Sequence, residues 1–123
     1  MKLHGVQVFV EDIAKARHFY GRVLRLRAVK HTSVADSVVY ALGTGELVVT
    51  AANKHGPNAA LIGRYTGVTL ATINLEAIYR RVGTVGEIFD APPRTLESGM
   101  TVARIRDPSH NVFTLVQKPR RSA

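Results

Sequence analysis

The chain repeats itself. The run Gly67-Val68-Thr69-Leu70-Ala71-Thr72 copies the alternation of the run that begins at Gly5, an offset of 62 residues. The same offset carries Asp12 onto Asn74 and Ile13 onto Leu75. Each copy thus sets a strand-like run ahead of a side chain able to N-cap a helix, with an apolar helix start behind it. A chain of 123 residues built this way is expected to fold as two like modules.

In the first copy, residues 3–10 alternate strictly. His4, Val6, Val8 and Val10 share one face, and Gly5, Gln7 and Phe9 share the other. The valine face is predicted to meet the core, leaving the second face toward another layer or a cavity. Asp12 caps a predicted helix running to about Leu24. Its apolar stripe is Ile13, Ala16, Tyr20, Val23 and Leu24, with Lys15, His18 and Arg22 on the wet side. Strands are predicted over residues 27–33 and 36–42, a turn at Gly43-Thr44-Gly45, and a fourth strand over residues 46–51. Residues 53–65 hold glycine, proline and asparagine without periodicity and read as a linker or lid.

The second copy reads as a strand over residues 67–72 and a helix from the Asn74 cap to about Val82, with Gly83 as its C-cap. A short strand follows over residues 87–90, then a break at Ala91-Pro92-Pro93 and a loop over residues 94–99. Strands over residues 100–106 and 112–117 flank the turn formers Asp107-Pro108-Ser109-His110-Asn111. In the last strand Phe113 and Leu115 fall on one face, and Val112, Thr114 and Val116 on the other. The expected fold is α+β: one domain over residues 1–123, made of two βαβββ modules over about 1–52 and 66–118. Curved mixed sheets would carry their helices outside.

Hydrophobic residues make up 46% and charged residues 21%, ordinary for a globular protein. No apolar run approaches the ~20 residues needed to span a bilayer. With no cysteine there is neither a disulfide framework nor thiolate chemistry, and a cytoplasmic location is expected. The net charge of +8 favours anionic partners. The charges are spread along the chain rather than gathered in a block, which weakens a nucleic-acid reading built on Lys15, Arg17, Arg22, Arg25, Arg80, Arg81 and the tail at 118–121.

The turn at 107–111, followed by Val112-Phe113 and then Thr114, resembles the last strand of the vicinal oxygen chelate superfamily, which includes glyoxalases, bleomycin resistance proteins and extradiol dioxygenases. There a DPxGN turn and two apolar residues precede a metal-binding glutamate. Residues 12–26 resemble that group's first helix through Asp12-Ile13, Phe19-Tyr20 and Leu24-Arg25-Leu26, with Arg25 in place of the usual glycine. The resemblance implies metal ligands on the first strand and near the fourth strand of each module. Those positions carry Gly5, Val48, Gly67 and Thr114 here. None of the four supplies a competent ligand, and His4 falls on the opposite face of its strand. The resemblance therefore implies the fold with the metal chemistry lost, no cofactor, a homodimer and a cavity for a small molecule.

The residues expected to line that cavity are Gln7, Phe9, Thr50, Thr69 and Thr114, with Val48, Ala71 and Val116 beside them and Tyr40 if its strand face is inward. Arg104 and Arg106 share one strand face and could hold a carboxylate or phosphate. The leading expectation is a metal-free binding protein of the antibiotic-sequestering kind. The alternatives are a lyase, isomerase or dioxygenase of the same fold with an atypical or absent metal site, and a basic module for nucleic acid or another anion. Asp107, Ser109 and His110 hold the atoms of a hydrolase triad, but three side chains of one tight turn do not converge as nucleophile, base and orienter. Gly43-Thr44-Gly45 lacks the continuation of a phosphate loop.

Overall fold

The computed structural model describes residues 1–29, 36–83 and 88–119. The chain divides into two units, Met1–Arg64 with Asp107–Asn111, and Tyr65–Arg106 with the residues from Val112 onward.

In the first unit, β1 (Gly5–Val10) leads into α1 (Ile13–Arg17), and β2 (Arg27–Ala28), β3 (Ser37–Leu42) and β4 (Gly45–Ala51) follow. The sheet order is β1-β4-β3-β2, with β1 parallel to β4 and the other pairs antiparallel. Asp12 is extended (φ −127°, ψ 108°) and its carboxylate accepts from the Ala14 and Lys15 amides, which fixes where the helix starts. The helix does not run on to Leu24 as a single α-helix. After Arg17 it widens into a π-helix over His18–Val23, closed by Leu24 N–H donating to the Phe19 carbonyl at 2.8 Å. The extra residue in that turn lets neighbours Phe19 and Tyr20 both turn inward, 3% and 0% exposed. Val8, Val10, Val38, Tyr40, Leu47 and Val49 complete this core, as the alternation of β1 predicts for its valines.

The second unit repeats the plan with β5 (Tyr65–Ala71), α2 (Leu75–Val82), β6 (Arg94–Thr95), β7 (Thr101–Arg106) and β8 (Val112–Gln117), in the order β5-β8-β7-β6. Again the first strand of the unit lies parallel to the last. Asn74 caps α2 through the Ala77 amide at 3.0 Å, and Gln117 accepts from the Leu75 amide at 2.7 Å. Leu75, Val82, Ala103, Ile105, Phe113 and Leu115 are buried. Together the two units make an α+β fold of two four-stranded mixed sheets.

Besides the helix end and shifts of one or two residues at other strand starts, four boundaries differ from the sequence reading. β5 starts at Tyr65, inside the expected linker. The expected strand at 27–33 pairs at Arg27–Ala28 and through Val29 N–H to the Val39 carbonyl, and its remainder from residue 30 lies outside the described residues. The expected strand at 87–90 begins outside the described residues too; Phe89 makes a single bridge to Ile105. The expected loop at 94–99 opens with a strand, because Arg94 and Thr95 pair with Val102 and Thr101. Pro92 and Pro93 hide that strand in the sequence, since they cannot donate to a ladder themselves.

The turn Asp107–Asn111 belongs to the first unit and knits it together. Asp107 Oδ1 accepts from the Ser109 and Asn111 amides, both at 2.9 Å. Its Oδ2 accepts from Tyr20 Oη at 2.6 Å and from Asn111 Nδ2 at 2.9 Å. Asn111, fully buried, donates to the Phe9 carbonyl at 2.8 Å and accepts from the Gly63 and Arg64 amides. Ser109 Oγ accepts from the Glu11 amide at 2.9 Å. Every polar atom of this buried carboxylate thus has a partner, which is the condition for holding a charge inside a fold.

Candidate functional site

The register of the first sheet places Gly5, Gln7 and Phe9 of β1 opposite Glu46, Val48 and Thr50 of β4, on the face away from the helix-side core. Ser37 and Val39 of β3 continue the same rows. Gln7 Nε2 donates to Thr50 Oγ1 at 3.1 Å, and Thr50 Oγ1 lies 3.2 Å from Ser37 Oγ. The three side chains form a polar ladder beside Phe9, Val39 and Val48 on this face, and Gln7 is exposed at its end. Tyr40 does not join them. It pairs with Leu47 on the core face, is 2% exposed, and packs its ring 5.8 Å from that of Tyr20.

The four positions at which the family resemblance implies metal ligands do not fit a metal. A Cβ on Gly5 would lie 2.6 Å from the Glu46 carbonyl oxygen, so β4 closes that position to any side chain. Gly67 has a φ of +74°, a conformation that strains every L residue, at the irregularity where β5 shifts register between Tyr65 and Thr69. Val48 has no donor atom. Thr114 offers a neutral hydroxyl where a divalent cation prefers a carboxylate or imidazole. Among the described residues no three His, Cys, Asp or Glu side chains gather as a metal-holding group. His4 stands exposed with Nε2 3.5 Å from Glu46 Oε2.

On the second sheet, Thr69, Thr114 and Arg104 form one cross-strand row on the face opposite Phe113 and Leu115. Tyr65, Val112 and Arg106 form the next, and Ala71, Val116 and Val102 the one on the other side. This settles the direction of the two arginines: both stand on the open face with Thr114. A cleft of about 510 Å³ opens there, with Asp90, Pro92, Arg94, Val102, Arg104 and Thr114 in its walls. Arg106 is not in the lining. Its Nη2 lies 2.6 Å from Asp90 Oδ1, an ion pair that holds the 88–90 segment against β7. The Arg104 guanidinium sits 5.3 Å from the centre of the Tyr65 ring, a cation–π contact. Arg94 was missed by the sequence reading. The signal for it was the arginine two residues past the cleft-forming Pro92, but only the β6–β7 pairing shows which face it joins.

Asp107, Ser109 and His110 do not converge on a reaction centre. Asp107 and Ser109 are committed to the turn network, and His110 is exposed with a φ of +68°. The Tyr20 hydroxyl titrates well above its ordinary range, first because it is buried and then because the Asp107 carboxylate beside it opposes a second negative charge. Tyr40 is raised as well, by burial, with Arg17 acting the other way. Neither tyrosine is tuned to exchange a proton near neutral pH.

The sequence model of the Glyoxalase/Bleomycin resistance protein/Dioxygenase superfamily matches residues 2–115. Among solved structures, a member of that superfamily from Sphaerobacter thermophilus aligns with a TM-score of 0.75 and 24% identity, over 96% of this chain and 98% of that one. The genomically encoded fosfomycin resistance protein FosX of Listeria monocytogenes aligns with a TM-score of 0.74 and 12% identity, over 95% and 93%. A glyoxalase/bleomycin resistance protein/dioxygenase from Nocardioides gives 0.68 and 11%, over 99% and 86%. At these identities the likeness is one of fold. No curated protein matches the chain. No helix among the described residues is long and apolar enough to cross a membrane.

Proposed function

The chain belongs to the glyoxalase/bleomycin resistance protein/dioxygenase superfamily, and on that premise we propose that it binds a small molecule without a protein-held metal, sequestering the compound rather than transforming it. The observation that carries this reading is the closure of Gly5: a ligand side chain there would have to displace the β4 backbone, since even a Cβ meets the Glu46 carbonyl at 2.6 Å. What the open sheet faces offer instead is a recognition surface. The polar ladder of Gln7, Thr50 and Ser37 lies beside the apolar Phe9, Val39 and Val48 in the first unit. Thr69, Thr114, Arg104 and Arg106 stand on the open face in the second. Apolar walls with a few fixed polar groups are what a small-molecule site needs. The fosfomycin resistance protein that shares the fold supports an antibiotic as the class of cargo. A cytoplasmic homodimer is the form we propose for it.

The test pairs metal analysis with ligand screening. Purified protein should carry no stoichiometric metal, and Zn, Ni, Mn or Fe(II) should leave its melting temperature unchanged. A compound bound at a hundred times its Kd should stabilise the fold by about 2.7 kcal/mol and be recovered with unaltered mass. A stoichiometric metal that raises the melting temperature would overturn the reading.

A further inference from the structure

Resting on the reading of this fold as a binding protein, we propose that the cleft on the open face of the second sheet is an oxyanion site, in which Arg94 and Arg104 hold the carboxylate or phosphoryl group of a small organic anion. The argument begins with register. Arg94 of β6 stands opposite Val102 of β7, and Arg104 lies two residues along β7 on the same face. The two arginines are therefore diagonal neighbours, with backbones roughly 7–8 Å apart. Side chains of that length starting from that spacing can close on one anion from two sides, and each presents a fork of donors that matches a carboxylate or phosphoryl group.

The charges around them favour this. Asp90, the carboxylate in the cleft wall, is held at 2.6 Å by Arg106 and does not stand free to neutralise the other two arginines. Among the described residues, Arg94 and Arg104 have no carboxylate partner. Arg106 is thus the positioning residue. Spending its charge on Asp90 fixes the wall that carries Ala91 and Pro92 and, among the described residues, leaves Arg94 and Arg104 without a matching carboxylate. Arg104 is steadied by the Tyr65 ring, whose centre lies 5.3 Å from its guanidinium carbon. A guanidinium already oriented loses less freedom on binding.

The rest of the lining sets the ligand's body. Pro92, Val102 and Ala103 are apolar, and Thr114 adds one hydroxyl. The cleft's 510 Å³ lies at the lower end of the range for drug-sized ligands. A compact, mostly apolar molecule with a single oxyanion group fits this surface; a cationic one does not.

Benzoate and phenylphosphonate serve as probes for the two oxyanion types, and benzamide as the neutral counterpart of the same shape. Calorimetric titration of the full chain should find at least one anion bound roughly tenfold or more tightly than benzamide. Arg94→Gln and Arg104→Gln should each cost that anion a further tenfold or so and leave benzamide unchanged. Both side chains are exposed, so the variants should keep the wild-type melting temperature. Arg22→Gln, which removes the same charge from the π-helix of the first unit, should change affinity less than twofold. Tighter binding of phenylphosphonate identifies a phosphoryl ligand, and tighter binding of benzoate a carboxylate; either result supports the site. If neither anion binds at millimolar concentration, or Arg22→Gln costs as much as Arg94→Gln, the proposal is overturned. If benzamide binds as tightly as the anions, the oxyanion assignment falls while the small-molecule reading survives. A stoichiometric metal would sink that reading and leave the arginine variants to decide this one.

Discussion

Gly5→Ala tests the closure on which the functional reading rests. The added methyl would sit 2.6 Å from the Glu46 carbonyl oxygen and 3.3 Å from the Glu46 carbonyl carbon and Cβ. An unstrained carbon–oxygen contact is about half an ångström or more longer than the first of these, so β1 and β4 must part. They are joined there by Glu46 N–H donating to the His4 carbonyl at 3.0 Å, a bond the movement stretches. Overpacking of this kind costs about 1–3 kcal/mol. Gly5 lies at the start of the strand, where the chain can peel back, so about 1–2 kcal/mol is expected. For a chain this size that is a fall in melting temperature of roughly 3–12 °C. Gly45 supplies a control on the same strand pair. Its Cβ would meet the His4 carbonyl oxygen at 3.3 Å, a contact that a small adjustment relieves. Gly45→Ala should therefore fall within about 0.5 kcal/mol of wild type. Urea unfolding of both variants, with unchanged m-values, gives the comparison. Equal stabilities for wild type and Gly5→Ala would refute the reasoning, since a position that accepts Cβ without strain is open to a ligand side chain.

Three further predictions concern the turn network. Tyr20→Phe removes a 2.6 Å bond to a buried carboxylate and should cost about 1.5–3 kcal/mol in urea unfolding. The tyrosine's raised pKa means that its neutral form contributes stability fully below the unfolded value of about 10, and that this is lost as pH rises from there toward the folded value. Wild type should thus lose stability above about pH 10 more steeply than Tyr20→Phe, and equal slopes would count against the pairing. Asn111→Ala removes a partner from the part-buried Phe9 carbonyl and Gly63 amide and should cost about 2–4 kcal/mol, a large share of a domain's roughly 5–15 kcal/mol; a loss below about 1 kcal/mol would contradict the network. His110 has a φ of +68°, so His110→Gly should stabilise by up to about 1 kcal/mol, the left-handed penalty less the entropy of glycine.

Periodicity made much of this fold legible. The caps Asp12 and Asn74, the valine face of β1 and the inward Phe113 and Leu115 follow from local chemistry and a period of two or 3.6 residues. What stayed hidden depends on partners distant in sequence. The π-turn at His18–Val23 lets Phe19 and Tyr20 both face the core, and Tyr20 reaches Asp107 across 87 residues. Arg25 has a φ of +59°, the left-handed shape that favours glycine, which is the residue the family resemblance implies there. For the candidate site, alternation alone put Arg104 and Arg106 on one face but could not say that Asp90 takes up one of them. Tyr40 was ambiguous in sequence because β3 carries apolar residues on both faces, Val38 and Leu42 on one and Val39 and Ala41 on the other; the register with Leu47 decides it.

Thr114 separates what the fold requires from what a ligand requires. Its neighbours Phe113 and Leu115 point into the core, so the pleat leaves residue 114 on the open face, where packing tolerates many side chains. Gly5 and Gly67 are different: at Gly5 the β4 backbone leaves no room for a Cβ, and at Gly67 a φ of +74° would strain any L residue. Restoring a carboxylate at 114 should therefore be tolerated by the fold without restoring a metal site. In Thr114→Glu the new carboxylate would stand directly across from Arg104, about 4.5–5.5 Å away between Cβ atoms, and it would pair with that guanidinium. An exposed pair of this kind adds about 0–1 kcal/mol of stability. It also consumes a charge that an anion in the cleft would need, so benzoate and phenylphosphonate binding should weaken about tenfold while Mn and Zn produce no heat in calorimetric titration. Micromolar binding of either metal by Thr114→Glu would mean that the open face holds further ligands within reach of residue 114, and the separation of fold from ligand drawn here would fail.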